Sequence, residues 1–152
     1  MAFDKAWAEV LATHPDGWSR WGTFRSQAHL APASPGVYVV RNDDLEVAYV
    51  GVAHARTLKA RLQDYRVGTD LNGLAERAID AALGDPDWIL ERVHSMQVGG
   101  PPRRARQWMR EALDRSELQL ATCCCDDGVS AQHLEKSVIA ILRSRDALWN
   151  QR

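Results

Sequence analysis

Residues 35–65 read PGVYVVRNDDLEVAYVGVAHARTLKARLQDY, and this stretch limits the fold more than any other. Two short runs, 36–40 and 47–51, are rich in β-branched and aromatic residues, and Asn42-Asp43-Asp44 between them is a turn signal. They predict a β-hairpin that feeds a helix. With a turn symmetric about Asp43-Asp44, Tyr38 falls opposite Tyr49 and Gly36 opposite Gly51. Side chains alternate along a strand, so the two phenols become cross-strand neighbours on one face. Glycines at the outer ends of both arms let another backbone, or a ligand, come close. The helix that follows, expected over 56–66, carries Arg56, Lys59, Arg61 and Arg66. Two phenols beside a cationic helix point to an anionic substrate.

On that helix Leu58, Leu62 and Tyr65 share one face at i, i+4 and i+7, with Arg61 next to it and Lys59 away from it. Gly68 stands where a C-terminal glycine is expected. Upstream, Phe3, Trp7, Val10 and Leu11 predict a short helix over 3–12, stopped by His14-Pro15-Asp16-Gly17. Trp18, Trp21 and Phe24 follow without a clear period. They either pin the N-terminal segment over the core or, beside Arg20 and Arg25, stack on bases. Residues 31–35 form a stiff lead-in to the hairpin.

Downstream, a helix is expected over 71–83, with Leu71, Leu74, Ala78 and Ala81 or Ala82 turned inward. Gly84-Asp85-Pro86 breaks it, and 88–98 reads as a strand or an irregular packed segment. A further helix over 103–115 offers Trp108, Met109 and Leu113 to the core. It opens with Arg103, Arg104 and Arg106, and Arg110 lies one turn on. Cations at a helix N-terminus oppose its macrodipole, at about a few tenths of a kcal/mol each. The cluster is either a phosphate-contact patch or a solvated face paired with Glu111 and Asp114. Residues 117–125, ELQLATCCC, read as a strand, and Ser130 as the cap of a last helix over 131–144.

That last helix contains a carboxylate in an apolar setting. Leu134, Val138 and Ile141 form one row, Ile139 and Leu142 the next, and Glu135 sits at i−4 from Ile139. A carboxylate on such a stripe loses hydration unless it is paired or bound to a cation. The two candidate partners are an arginine on a neighbouring helix and a divalent metal ion. His54 and His133 lie near these motifs and read as surface residues.

The bounds agree with a modest enzyme or binding domain. With 152 residues, 45% of them hydrophobic, the chain is expected to form one domain, with 1–33 a helix and aromatic lead-in and 34–152 the core. A formal net charge of −1 argues against a protein held on nucleic acid by its overall field, so any DNA contact is local or supplied by a partner. Cys123-Cys124-Cys125 point to alternate faces of a strand, a poor arrangement for a disulfide or for zinc. They read as small apolar residues and fit a reducing cytoplasm. No apolar run approaches the roughly 20 residues of a membrane helix, and the N-terminus shows no secretory pattern.

GVY, ten residues, then YVG resembles the paired signature of the GIY-YIG nuclease superfamily. Arg61-Leu62-x-x-Tyr65 is similar to that family's arginine-bearing first helix. Glu135 in HLEKSVIAIL and Asn150 in ALWNQR are similar to its helical glutamate and terminal asparagine. The resemblance covers 35–151. The gap from Gly51 to Arg61 is longer than the family's usual one, which leaves Lys59 as a second occupant of the arginine's place. The fold implied is a GIY-YIG-like α/β (α+β) domain, with a small, mostly antiparallel three-stranded sheet from the hairpin and the 117–125 strand, flanked by helices.

The activity implied is metal-dependent hydrolysis of DNA phosphodiester bonds, with RNA as the alternative polymer. One Mg²⁺ (or Mn²⁺) on Glu135 suffices, because Mg²⁺ keeps most of its waters and often takes one or two protein carboxylates. Arg61 would fork onto phosphate oxygens. Tyr38 would be general base or water-holder, supported by Tyr49 and Tyr65, and Asn150 would brace the site. A phenol ordinarily deprotonates at about pH 10, so a base needs positive charge nearby. Lys59, Arg103, Arg104, Arg106 and Arg110 are the candidate nucleic-acid contacts, and Gly36 and Gly51 are structural. A protein partner would supply targeting. The alternative function is a catalytically silent nucleic-acid-binding or partner-binding module of the same fold.

Overall fold

The computed structural model describes residues 2–42, 47–68, 73–100 and 104–148. In chain order its elements are α1 (Ala2–Thr13), β1 (Gly22–Thr23), α2 (Phe24–Leu30), β2 (Gly36–Asn42), β3 (Val47–Ala53), α3 (Leu58–Val67), α4 (Leu74–Leu83), α5 (Pro86–Gln97), α6 (Arg104–Arg115), β4 (Gln119–Cys124) and α7 (Gly128–Ser144). The chain is thus mixed α/β, with seven helices and one four-stranded antiparallel sheet among the described residues, in the order β1-β4-β2-β3. The expected three strands omit β1. Its two residues pair with Leu120 and Gln119 and are too few to carry a period.

The hairpin forms, but in a register two residues from the symmetric one. Tyr38 pairs with Gly51, Gly36 with Ala53, and Tyr49 with Val40. A shift of two keeps every side chain on its face, so Tyr38 and Tyr49 remain on one side as diagonal neighbours. Asp43 and Asp44 of the expected turn, with residues 45–46, lie outside the described residues.

The chain divides into two compact units, Met1–Gln63 with Leu118–Arg152, and Asp64–Glu117. In the first, β2 is covered on both faces. On one side Val37, Val39, Ala48, Val50 and Cys123 pack with Phe3, Ala6 and Val10 of α1 and Leu134, Val138 and Leu142 of α7. On the other lie Tyr38 and the start of α3. Gly36 has no Cβ because one would stand 2.6 Å from Leu58 Cδ1 and 3.0 Å from Cys124 Cα. Leu58 and Leu62 are fully buried, each worth about 1.5–3 kcal/mol.

The N-terminal aromatics pin α1 to the sheet. Trp7 packs 4.5 Å from Trp21 and 5.3 Å from Trp18, centroid to centroid. The Arg41 guanidinium lies 4.2 Å over the Trp21 ring, and its Nε donates to Gln119 Oε1 at 2.9 Å. These rings pack on one another and against the core, partly buried. Phe24 instead opens α2, a helix capped by Thr23, whose hydroxyl accepts from Ser26 N. The Cys123 thiol is buried, and burial, with Cys125 and Cys124 beside it, pushes its pKa up to about 12. All three cysteines are free thiols.

In the second unit, α4 buries Leu74, Ala78 and Ala82, while Leu71 lies outside the described residues. The segment expected as a strand or irregular is α5. The same Asp85-Pro86 that ends α4 starts it: Asp85 accepts from Asp87 N at 3.1 Å and Pro86 takes the first turn. Only Trp88 of α5 is buried, and Leu90 faces solvent. Gly68 ends α3 with φ 74°, the left-handed conformation a C-terminal glycine adopts at little cost.

No helix among the described residues is long and apolar enough to cross a membrane.

Candidate active site

The site is built around the outer edge of β3. A cleft of about 390 Å³ there is lined by Tyr38, Tyr49, Gly51, His54, Arg56, Arg61 and Glu135, with Val50, Val52, Ala53 and Ala55. Tyr49 and Gly51 point to the Tyr38 face, Val50 and Val52 to the α7 face, so the cleft wraps the strand edge. Four separated stretches of chain therefore meet: β2, β3 with its following bend, α3 and α7.

Tyr38 comes from the central strand and is fully buried. Its ring crosses to the strand beside it and covers Gly51, where a Cβ would stand 2.6 Å from Cε2 and closer to Cζ and the phenol oxygen. The Tyr49 ring lies 6.5 Å from it at a tilt of 37° and is half-buried. The expected pair of phenols on one face is present, but Gly51, not Tyr49, is the direct partner of Tyr38.

Arg61 is set by how α3 begins. The first amides of a helix have no internal acceptor. Here Leu58 N donates to Ser34 O at 2.8 Å, Lys59 N to Pro32 O at 3.1 Å, and Ala60 N to Thr57 Oγ1 at 3.1 Å. The proline-rich lead-in thereby fixes the first turn, and Arg61 enters the cleft half-buried. Lys59, one turn face away, is exposed and outside the lining. Of the two candidates for one place, Arg61 is the one the cleft receives. Arg56 lies in the bend before α3, not on the helix, and its guanidinium donates to Ala60 O at 3.3 Å.

Glu135 lies at the border of the apolar row of α7. Ala131, Leu134, Val138 and Leu142 are the buried residues, while Glu135 and Ile139 flank them half-buried. Burial raises its pKa above the ordinary carboxylate value, against the lowering charges of His54 and Lys136. Among the described residues it has no hydrogen-bond or ion-pair partner, so the arginine expected as its alternative partner is not there. The cap of α7 is Asp127, not Ser130: its carboxylate accepts from Ser130 N at 2.7 Å, which holds its pKa down. Gly128, the first helical residue, packs against the His54 backbone, and a Cβ there would stand 3.3 Å from His54 Cα.

His54 reads as a surface residue from sequence and is exposed, yet it lines the cleft. Nothing in its local sequence marks it, because its place depends on the contact with Gly128, 74 residues away by number (128 less 54). Tyr65 is fully buried on α3 within Asp64–Glu117 and is not a lining residue. Asn150 and Arg103 lie outside the described residues.

Arg104, Arg106 and Arg110 stand on α6 in the second unit. Glu111, expected to pair with them, is taken by Arg92 of α5 and by Gln107. Arg106 and Arg110 are exposed, and the Arg104 Nε is buried without a hydrogen-bond partner.

For a metal, the donor set is small. No group of three His, Cys, Asp or Glu side chains gathers among the described residues. A partnerless, half-buried carboxylate facing a cleft nonetheless suits an ion that fills its remaining positions with water and substrate oxygens. Arg61 and Arg56 supply positive charge for an anion in the same space. Neither family models, nor curated proteins, nor solved structures yield a match to this chain.

Proposed function

We propose that this chain is a GIY-YIG-type endonuclease that hydrolyses DNA phosphodiester bonds, with one divalent cation held by Glu135. The observation that carries the reading is the convergence of Tyr38, Tyr49 and Arg61, from the consecutive elements β2, β3 and α3, with Glu135 of the remote α7 on one cleft. In sequence the two phenols stand out as a cross-strand pair, Arg61 as a cation beside the apolar face of its helix, and Glu135 as a carboxylate on an apolar stripe. A packing-only explanation gives no cause for an unpaired carboxylate and an arginine to face one another's space.

The roles follow from the groups. Arg61 stays charged at any working pH and forks onto non-bridging phosphate oxygens, fixing the scissile group. Tyr49, half-buried in the cleft lining, would orient the attacking water. Tyr38 is buried diagonally beside it, and its phenol would either take the water's proton or hold the water through Tyr49. Mg²⁺ or Mn²⁺, when bound, supplies charge relief on the phosphoryl and leaving oxygens. Glu135 anchors that ion, and the energy that burial costs its ionised form is recovered on binding. Arg104, Arg106 and Arg110 offer phosphate contacts outside the cleft. The low net charge fits local contacts and a partner that supplies targeting.

The test is Mg²⁺- or Mn²⁺-dependent cleavage of DNA by the wild type, lost in Glu135→Ala. A silent wild type that still binds DNA favours the non-catalytic binding module.

A further inference from the structure

We propose that His54 is a second protein ligand to the cation held by Glu135, and that its nitrogen tilts the site toward first-row transition ions over Mg²⁺. The inference rests on the nuclease reading's metal at Glu135 and adds a residue and a selectivity to it.

Position comes first. His54 lies at the cleft, three residues past Gly51 where β3 has ended. Its backbone is seated on Gly128, whose lack of a Cβ permits the approach. Gly128 and Glu135 are seven residues apart, two turns, and so share one face of α7. Long side chains on a helix lean toward its N-terminus. Glu135 thus leans toward the turn against which His54 is packed. Both side chains line the same cleft, so the imidazole and the carboxylate share one space.

Chemistry narrows the choice. The other charged side chains lining the cleft are Arg56 and Arg61, which repel a cation. The two phenols are poor ligands unless ionised. Glu135 and His54 are left as the oxygen and nitrogen donors. A site of carboxylate, water and phosphate oxygens alone suits Mg²⁺ and Mn²⁺, whereas an imidazole favours the later ions of the row, Co²⁺ among them. His54 can turn in to complete the coordination, because it is exposed and Gly128 fixes only its backbone.

The experiment uses the full chain, stripped with a chelator and titrated with Co²⁺ and with Mg²⁺ by calorimetry at about pH 8, where imidazoles are ordinarily neutral. The visible absorption of Co²⁺ reports nitrogen and oxygen ligation, and thiolate charge-transfer bands would expose binding at the cysteines. A Cys124→Ser background removes the exposed thiol. In His54→Ala the ratio of Co²⁺ to Mg²⁺ affinity is expected to fall roughly tenfold or more, on the scale that losing a metal-site contact costs. Mg²⁺ affinity alone should change little, and Glu135→Gln should lose both ions. An unchanged ratio in His54→Ala, with both ions lost in Glu135→Gln, overturns the role of His54 and leaves the nuclease reading standing. Binding unaffected by Glu135→Gln overturns both.

Discussion

The ring of Tyr38 fills the space that a side chain at Gly51 would need, and the two residues are direct partners across β2 and β3. The glycine of the YVG tripeptide is thus required by the phenol of GVY. Gly51→Ala forces the buried ring off its rotamer or the strands apart. Overpacking of this kind costs about 1–3 kcal/mol, read as a lower urea midpoint, and it should displace the Tyr38 phenol and depress activity. Wild-type stability in Gly51→Ala would show that the ring does not need that space.

Glu135 gives a pH dependence with a definite sign. Its pKa is raised in the fold by burial. A carboxyl that holds its proton more tightly when folded contributes stability below its ordinary pKa of about 4.3, and loses it as pH rises through the folded value. At neutral pH the metal-free protein carries an unfavourable charge. Glu135→Gln should therefore raise the metal-free Tm at pH 7, with the gain shrinking toward pH 4. A gain that is the same at both pH values would trace to shape, not charge.

Arg61 should not be replaceable by lysine. If its planar fork holds the phosphate, Arg61→Lys keeps the charge but loses the paired contact. Removing a group that stabilises developing charge typically costs about 10²–10³ in kcat. Arg61→Ala should reach that range and Arg61→Lys should recover little of it, while Lys59→Ala changes kcat by less than about threefold, within what a solvated surface charge contributes. Recovery by lysine would reduce the role of Arg61 to a point charge.

The cysteine triplet separates by accessibility. Cys124 is exposed, whereas Cys123 is buried with its pKa pushed to about 12 and Cys125 is also raised by burial. Thiolate is the reactive form. A thiol reagent should label the native protein at Cys124 first, a phase that Cys124→Ser removes, while Cys123 reacts only on unfolding. Early labelling of Cys123 would contradict its place under α1 and α7.

What sequence conveyed was local and periodic. The hairpin, α3 with its buried Leu58, Leu62 and Tyr65, and the half-buried Glu135 on α7 all follow from repeats of two or 3.6. The register did not, because Asn42-Asp43-Asp44 marks a turn without fixing its length, and two residues of slip preserve the faces. β1 exists only because β4 lies beside it. The Asp85-Pro86 pair was legible as a break but not as the start of α5, since a cap and a stop use the same residues. His54 was illegible in the cleft because Gly128, which seats it, is remote in sequence.

The most direct measurement is cleavage of plasmid, branched and single-stranded DNA with Mg²⁺ or Mn²⁺, using wild type and Glu135→Ala purified identically. Wild type should give products that vanish on chelation and in Glu135→Ala. Equal cleavage by both proteins would contradict it.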